Sequence, residues 1–133
     1  MPEKESLLQV QDLQVSFSTS AGRLSAVRGV SYDIKAGEIV GIVGESGSGK
    51  SVSAHSILRL LPANGSITGG SIRYAGNELA TYSGEKLRSF RGAEVAIIFQ
   101  EPGLSFDPIY PIGKTMAETI RAHAPELSEH EVN

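Results

Sequence analysis

The chain contains no cysteine, which rules out disulfides and thiolate metal sites within it and fits a reducing compartment. No apolar run approaches the ~20 residues that a helix needs to cross a bilayer, so work at a membrane would pass through a partner. The opening residues Met1-Pro2-Glu3-Lys4-Glu5 are charged and lack an apolar stretch, unlike a secretory signal. There is no excess of positive charge either. Twelve Lys and Arg stand against 15 Asp and Glu, for a formal net charge of −3, which gives no bulk signal for nucleic acid or an anionic lipid surface. Internal repeats and low-complexity stretches are absent. What remains is an ordinary globular composition, 40% hydrophobic and 20% charged over 133 residues, enough for one domain.

Apolar periodicity orders the chain. Leu8, Val10, Leu13, Val15 and Phe17 alternate with polar residues and predict a strand over Leu7 to Ser18. Asp12 breaks the alternation and marks a bulge. A turn containing Gly22 leads to a second strand, Leu24 to Ile34, and the pair predicts an antiparallel layer. After the turn Ala36-Gly37, the run Glu38-Ile39-Val40-Gly41-Ile42-Val43 reads as a buried strand of a parallel sheet. A helix from about Lys50 to Leu61 follows, with Val52, Ala54, Ile57, Leu58 and Leu61 as its apolar face. Further along, Ser71 to Tyr74 reads as a strand and Ala75-Gly76-Asn77 as a turn. Ser83 to Phe90 reads as a helix capped by Ser83, Glu94 to Phe99 as another buried strand, Gln100 to Pro111 as a loop, and Ile112 to Ala122 as a helix. Ser128 and Glu131 match a capping box, which predicts a helix start at the end of the chain and, with it, continuation beyond Asn133.

Between the first buried-strand run and its helix stands Gly44-Glu45-Ser46-Gly47-Ser48-Gly49-Lys50-Ser51. This is the full G-x-x-x-x-G-K-[ST] pattern of a phosphate-binding loop. Glycines let the backbone wrap so that successive N–H groups turn inward toward phosphate oxygens. The helix that opens at Lys50 adds the positive end of its dipole. Lys50 supplies a point charge for the β- and γ-phosphates, and the Ser51 hydroxyl suits Mg²⁺. A Gly-Ser linker would share the composition but not the strand before it or the helix after it. The loop implies a nucleoside triphosphate without separating an ATPase from a GTPase or kinase. No Asn-Lys-x-Asp guanine-reading motif accompanies it.

The chain resembles the ATP-binding subunit of an ABC importer, in particular the oligopeptide/dipeptide/nickel group. The resemblance rests on Val27-Arg28-Gly29-Val30-Ser31, Gly41 to Ser51, Ile67-Thr68-Gly69-Gly70-Ser71-Ile72 and Ile97-Ile98-Phe99-Gln100-Glu101-Pro102. These stretches occur in the family's order, from about Leu7 onward, and match its first part only. The resemblance implies an α/β P-loop NTPase of ABC-ATPase type, of which this chain is the N-terminal portion: an antiparallel β layer and an incomplete parallel core sheet. It divides the chain into the layer at 1–35, the phosphate-loop strand and helix at 36–62, a β/α segment at 63–99, and the glutamine loop with the start of a helical subdomain at 100–133.

The same resemblance implies site roles. Lys50 and Gln100 form the catalytic set, with Gln100 near Mg²⁺ and the attacking water. Ser51 and Gln100 serve the metal. Gly44, Glu45, Ser46, Gly47, Ser48, Gly49, Lys50, Ser51 and Val52 hold the nucleotide. Phe17 stands where the family places an aromatic that stacks on adenine, more usually Tyr. ATP and Mg²⁺ are the implied cofactors. The implied partners are a second ATP-binding subunit and transmembrane permease subunits that meet the loop from Gln100 to Pro108, with no nucleic acid, at the cytoplasmic face of the membrane. Three family features have no counterpart here: an apolar strand ending in Asp-Glu, an LSGGQ-type signature loop and a switch histidine. His55, His123 and His130 do not match the last context and read as structural or solvated; His123, Glu126 and His130 fit no strong metal motif. This set predicts a chain that binds nucleotide weakly at most, with hydrolysis in the intact protein. The rival readings are a soluble ABC ATPase without a membrane partner, and an inactive fragment.

Overall fold

The antiparallel layer forms around its first strand. In the computed structural model, which describes residues 6–132, the chain divides into two compact units, the first running to Tyr82 and the second beginning at Ser83. The first holds β1 (Ser6–Thr19), β2 (Gly22–Lys35), α1 (Lys50–Ile57), β3 (Gly65–Tyr74) and β4 (Asn77–Glu78). The sheet order is β2-β1-β3-β4, with every neighbouring pair antiparallel. Leu8, Val10, Leu13 and Val15 of β1 are buried together with Val27 of β2 and Ile72 of β3. Full burial of each such side chain is worth about 1.5–3 kcal/mol, so β1 carries most of the local stabilisation.

The bulge at Asp12 makes that burial possible. In an unbroken strand Val10 and Leu13, three residues apart, would point to opposite faces. Here the ladder slips between Val10 and Leu13 on the β2 side and between Gln11 and Gln14 on the β3 side, with Asp12 at φ 46°. The extra residue resets the parity so that both halves of β1 serve one core. The Asp12 N–H, taken off the ladder, donates to Ser31 Oγ at 2.8 Å, and Gln14 Nε2 donates to Asp12 Oδ2 at 3.2 Å.

Strand β3 begins at Gly65, six residues before the predicted start at Ser71, because Gly65, Ser66, Ile67 and Gly69 continue the pairing with β1. A two-residue turn, Ala75-Gly76, with φ 46° and 77°, joins β3 to β4, the left-handed geometry that suits a tight hairpin.

Helix α1 is shorter than its apolar pattern predicts. It ends at Ile57 rather than Leu61 because Arg59 turns left-handed at φ 52°. The N–H of Arg59 donates to Ser56 O at 3.0 Å and that of Leu60 to His55 O at 2.9 Å, a paired closure that caps the last carbonyls. The buried side also differs. Ser53 and Ser56 are buried and Leu58 with them, whereas Val52, Ala54, Ile57 and Leu61 are half-buried. The two hydroxyls survive burial by bonding back to the helix, Ser53 Oγ to Gly49 O at 3.0 Å and Ser56 Oγ to Val52 O at 2.7 Å.

The parallel core sheet does not form among the described residues. Residues 38–43 are in no strand, and Ile39 and Val43 are 99% and 95% exposed. Residues 96–99 are likewise irregular, with Ile98 91% exposed. A parallel strand is held by neighbours on both sides that reach it through crossover connections. Neither run has such a neighbour among the described residues, and Ile39, Val40, Ile42, Val43, Ile98 and Phe99 are exposed.

In the second unit α2 (Gly84–Ser89) starts after Ser83, which has the extended backbone of a cap (φ −142°) but makes no side-chain cap hydrogen bond. A wide turn, Phe90–Glu94, follows, kinked at Arg91 and Gly92 and closed by Val95 N–H donating to Phe90 O at 3.0 Å. Phe90 is fully buried. A short 3₁₀ turn at Pro102–Ser105 leads to α3 (Ile112–His123) and α4 (Glu129–Val132). Among the described residues no helix is long and apolar enough to cross a membrane.

Candidate functional site

The glycine-rich loop is an exposed turn that runs directly into α1. Residues 44–48 are exposed, and Gly49 and Lys50 are half-buried. Its organising contact comes from its own lysine. Lys50 Nζ donates to Gly44 O at 2.7 Å, to Glu45 O at 2.6 Å and to Ser48 Oγ at 3.3 Å. Four members of the predicted set, Gly44, Glu45, Ser48 and Lys50, are thereby drawn around one ammonium group. A further bond, Ser48 N–H to Glu45 O at 3.3 Å, tightens the turn.

Gly49 fixes the exit of the loop. It is the N-cap of α1 at φ 92°, a conformation that costs other residues about 1–2 kcal/mol. It also lies against β2: a Cβ there would stand 2.8 Å from the Ala26 carbonyl oxygen and 3.3 Å from Val27 Cγ2. The pattern Gly-Lys-Ser gave no hint of this contact, because its partners lie 22 and more residues upstream. Ala26 and Val27 are therefore positioning residues that the motif does not contain. They set where α1 begins, and so where its unpaired N–H groups point.

The α1 N-terminus suits an oxyanion. The first turn of any helix leaves N–H groups without an intrahelical acceptor. Gly49 brings no side-chain cap, and no acidic residue lies in the first turn. Ser51, the second helical residue, is exposed and Val52 is half-buried. Backbone donors, a helix dipole and a lysine ammonium thus stand together with an exposed hydroxyl one residue on, which matches the needs of a phosphate chain and its divalent cation.

Phe17 sits near the end of β1, half-buried, opposite Leu24 on β2 and Gly65 on β3. Its ring lies over Gly65, where a Cβ would meet Phe17 Cε1 at 2.7 Å. Gln100 belongs to the second unit. It is exposed, at the bend that precedes the Pro102–Ser105 turn. Beyond it Asp107 shapes the loop: Oδ1 accepts from Ile109 N–H at 2.9 Å and the carbonyl from Tyr110 N–H at 3.1 Å. Lys114 Nζ lies 4.2 Å from the centre of the Tyr110 ring. Phe106, Ile109, Tyr110 and Ile112 leave this loop with an apolar, exposed surface.

The sequence profile of the family described as "ABC transporter" matches residues 27–128. An oligopeptide transport ATP-binding protein of Mycobacterium tuberculosis is 41% identical over 123 residues, 92% of this chain and 20% of that protein. A putative peptide import ATP-binding protein of Brucella abortus is 44% identical over 117 residues, 88% of this chain and 35% of that protein. A dipeptide transport ATP-binding protein of Bacillus subtilis is 42% identical over 120 residues, 90% of this chain and 36% of that protein. The chain thus spans between a fifth and rather more than a third of the length of these relatives.

Proposed function

The chain belongs to the ABC transporter family, and on that basis we propose that it is the ATP-binding portion of a subunit that energises import of peptides or a related small solute. The observation that carries this reading is the closure of the Gly44–Ser51 loop on Lys50 at the N-terminus of α1. A loop that gathers an ammonium group, uncapped helical N–H groups and a hydroxyl has the donor set that a Mg²⁺-bound triphosphate requires.

In this reading the Lys50 ammonium leaves the carbonyls of Gly44 and Glu45 and takes phosphate oxygens instead. The N–H groups of the loop and of the first turn of α1 hold the phosphates, from Gly44 through Val52. Ser51 would offer its hydroxyl to Mg²⁺, which when bound neutralises charge on the phosphates, and the metal role proposed for Gln100 rests on the family resemblance alone. Phe17 provides an aromatic face for the adenine, without the hydroxyl of the family's usual Tyr. The loop from Gln100 to Pro108, in which Phe106 is exposed, meets a transmembrane permease subunit at the cytoplasmic face, so that a change at Gln100 passes to the partner. A second ATP-binding subunit completes each site. The signature loop, Asp-Glu strand end and switch histidine of the family have no counterpart in this sequence, so we assign nucleotide binding to these residues and ATP hydrolysis only to a protein that also carries those elements.

Two measurements test the reading. Displacement of a fluorescent ATP analogue by ATP, but not by GTP, supports an ATP site; equal displacement contradicts it. Co-purification with two membrane subunits supports the importer assignment, and its loss on replacing Phe106 and Ile109 by Ser would place the contact in the loop after Gln100.

A further inference from the structure

The turn that leads into β3 carries the dipeptide Asn64-Gly65, and the fold holds both of its members in place. Asn64 is exposed and is tied twice to the end of β1. Its side-chain Nδ2 donates to Ser18 O at 3.1 Å, and its carbonyl accepts from the Ser18 N–H at 2.8 Å. Gly65 lies under the Phe17 ring, where a Cβ would stand 2.7 Å from Phe17 Cε1 and 3.0 Å from Cδ1. An asparagine amide is therefore followed by the one residue type whose backbone nitrogen no side chain shields.

That pairing is chemically labile. Attack of the Gly65 backbone nitrogen on Asn64 Cγ closes a cyclic succinimide. The bond from Cγ to Nδ2 breaks, and Nδ2 leaves as ammonia with the proton that the Gly65 nitrogen gives up through water. Water then opens the imide. Addition at Cγ restores the main chain with aspartate at this position. Addition at the main-chain carbonyl breaks its bond to the Gly65 nitrogen instead and leaves isoaspartate, with the chain rerouted through Cβ and Cγ. The sum is one water taken up and one ammonia released. The native hydrogen bonds oppose the first step. The Gly65 N–H donates to Pro62 O at 2.8 Å, so the nucleophile is occupied, and Nδ2 must leave Ser18 O before Cγ can turn toward it. Strand ends open locally at small cost, however, and Asn64 stands at the end of the β1–β3 ladder, beside its terminal pair of Phe17 and Gly65.

We propose that Asn64 is a deamidation site, held in check by its hydrogen bonds to Ser18 and reached when this end of the ladder opens, and that its conversion unfastens the start of β3 from β1. Either product replaces the amide donor with a carboxylate, so the bond to the Ser18 carbonyl is lost. Isoaspartate also adds a carbon to the main chain just before the pair of Phe17 and Gly65. The site is independent of what the glycine-rich loop binds.

The full chain is incubated at mildly alkaline pH, native and in concentrated urea. Conversion is followed by peptide mapping with mass spectrometry, and isoaspartate is identified by enzymatic methylation. In urea Asn64 should convert at least about tenfold faster than Asn77, whose successor Glu78 carries a side chain. In the native chain Asn64 should convert measurably, but at least about tenfold more slowly than in urea, because the hydrogen bonds at the ladder end must open first. Asn64→Gln, whose longer side chain closes the ring less readily, should remove the signal. Asn64→Asp should speed hydrogen exchange at the Ser18 amide by at least about fivefold while leaving that of Val10 unchanged. Equal rates in the native and unfolded chains, earlier conversion at Asn77, or unchanged Ser18 exchange in Asn64→Asp would overturn the proposal. So would an intact Asn64 in the native chain after roughly a hundred times the half-time in urea.

Discussion

Lys50 Nζ lies 2.7 Å from the carbonyl oxygen of Gly44, the first and the seventh residues of one loop joined through a single hydrogen bond. With the 2.6 Å bond to Glu45 O, it holds the loop closed around a positive charge. The ammonium is satisfied where it is, so the phosphate binding proposed for this loop would replace two good hydrogen bonds rather than meet a free lysine. It would be an exchange of acceptors, favoured because phosphate oxygens carry formal charge and carbonyl oxygens do not.

The loop also depends on the β layer beneath it. Gly49→Ala is expected to destabilise the first unit by about 2 kcal/mol or more, since it combines a left-handed backbone with a clash against the Ala26 carbonyl. Urea denaturation followed by circular dichroism measures this. A cost below about 0.5 kcal/mol would mean that the contact with β2 is not maintained in solution.

Leu13 and Val43 provide a paired test of where the core lies. Leu13 is fully buried and Val43 is 95% exposed. Leu13→Ala should cost about 2–5 kcal/mol, whereas Val43→Ser should change stability by less than about 0.5 kcal/mol. A large loss for Val43→Ser would show that residues 38–43 pair as a strand after all.

Tyr32 on β2 has a buried hydroxyl without a hydrogen-bond partner among the described residues, and burial pushes its phenol above the ordinary value of 10.0. A raised native pKa means that the unfolded chain loses its proton first. The stability linked to this group is therefore complete below the unfolded value and falls as pH rises through that value toward the native one. Tyr32→Phe should flatten the alkaline limb of a stability–pH curve measured from pH 8 to 11. It should also be neutral or stabilising by up to about 1 kcal/mol at pH 7, because it removes an unsatisfied polar group. Marked destabilisation at pH 7 would point to a partner for the hydroxyl.

The sequence made some of this legible and hid the rest, for physical reasons. The alternation of Leu8 to Phe17 and the break at Asp12 foretold β1 and its bulge, because period-2 burial and its interruption are both local signals. The helix start at Lys50 after the glycine-rich loop was legible because the signal for it lies in consecutive residues. Helix α1 was read too long because apolar periodicity continues to Leu61, while the left-handed turn at Arg59 has no composition signal. Ser53 and Ser56 escaped notice as buried residues because their hydroxyls are satisfied within the helix. Residues 38–43 and 94–99 were read as strands from β-branched content, yet a strand exists only with a neighbour to pair with. The bracing of Gly49 by Ala26 is a tertiary contact, beyond the reach of any spacing rule.

The central claim is that the loop binds nucleotide through Lys50, and calorimetric titration with Mg-ATP tests it most directly. The folded full chain is compared with Lys50→Ala under identical buffer and salt. We expect saturable heat for the wild-type chain and at least a tenfold weaker affinity for the variant, about 1.4 kcal/mol, as the loss of the phosphate-facing charge requires. Equal affinity in the two proteins would contradict the assignment of Gly44–Ser51 as the phosphate-binding loop.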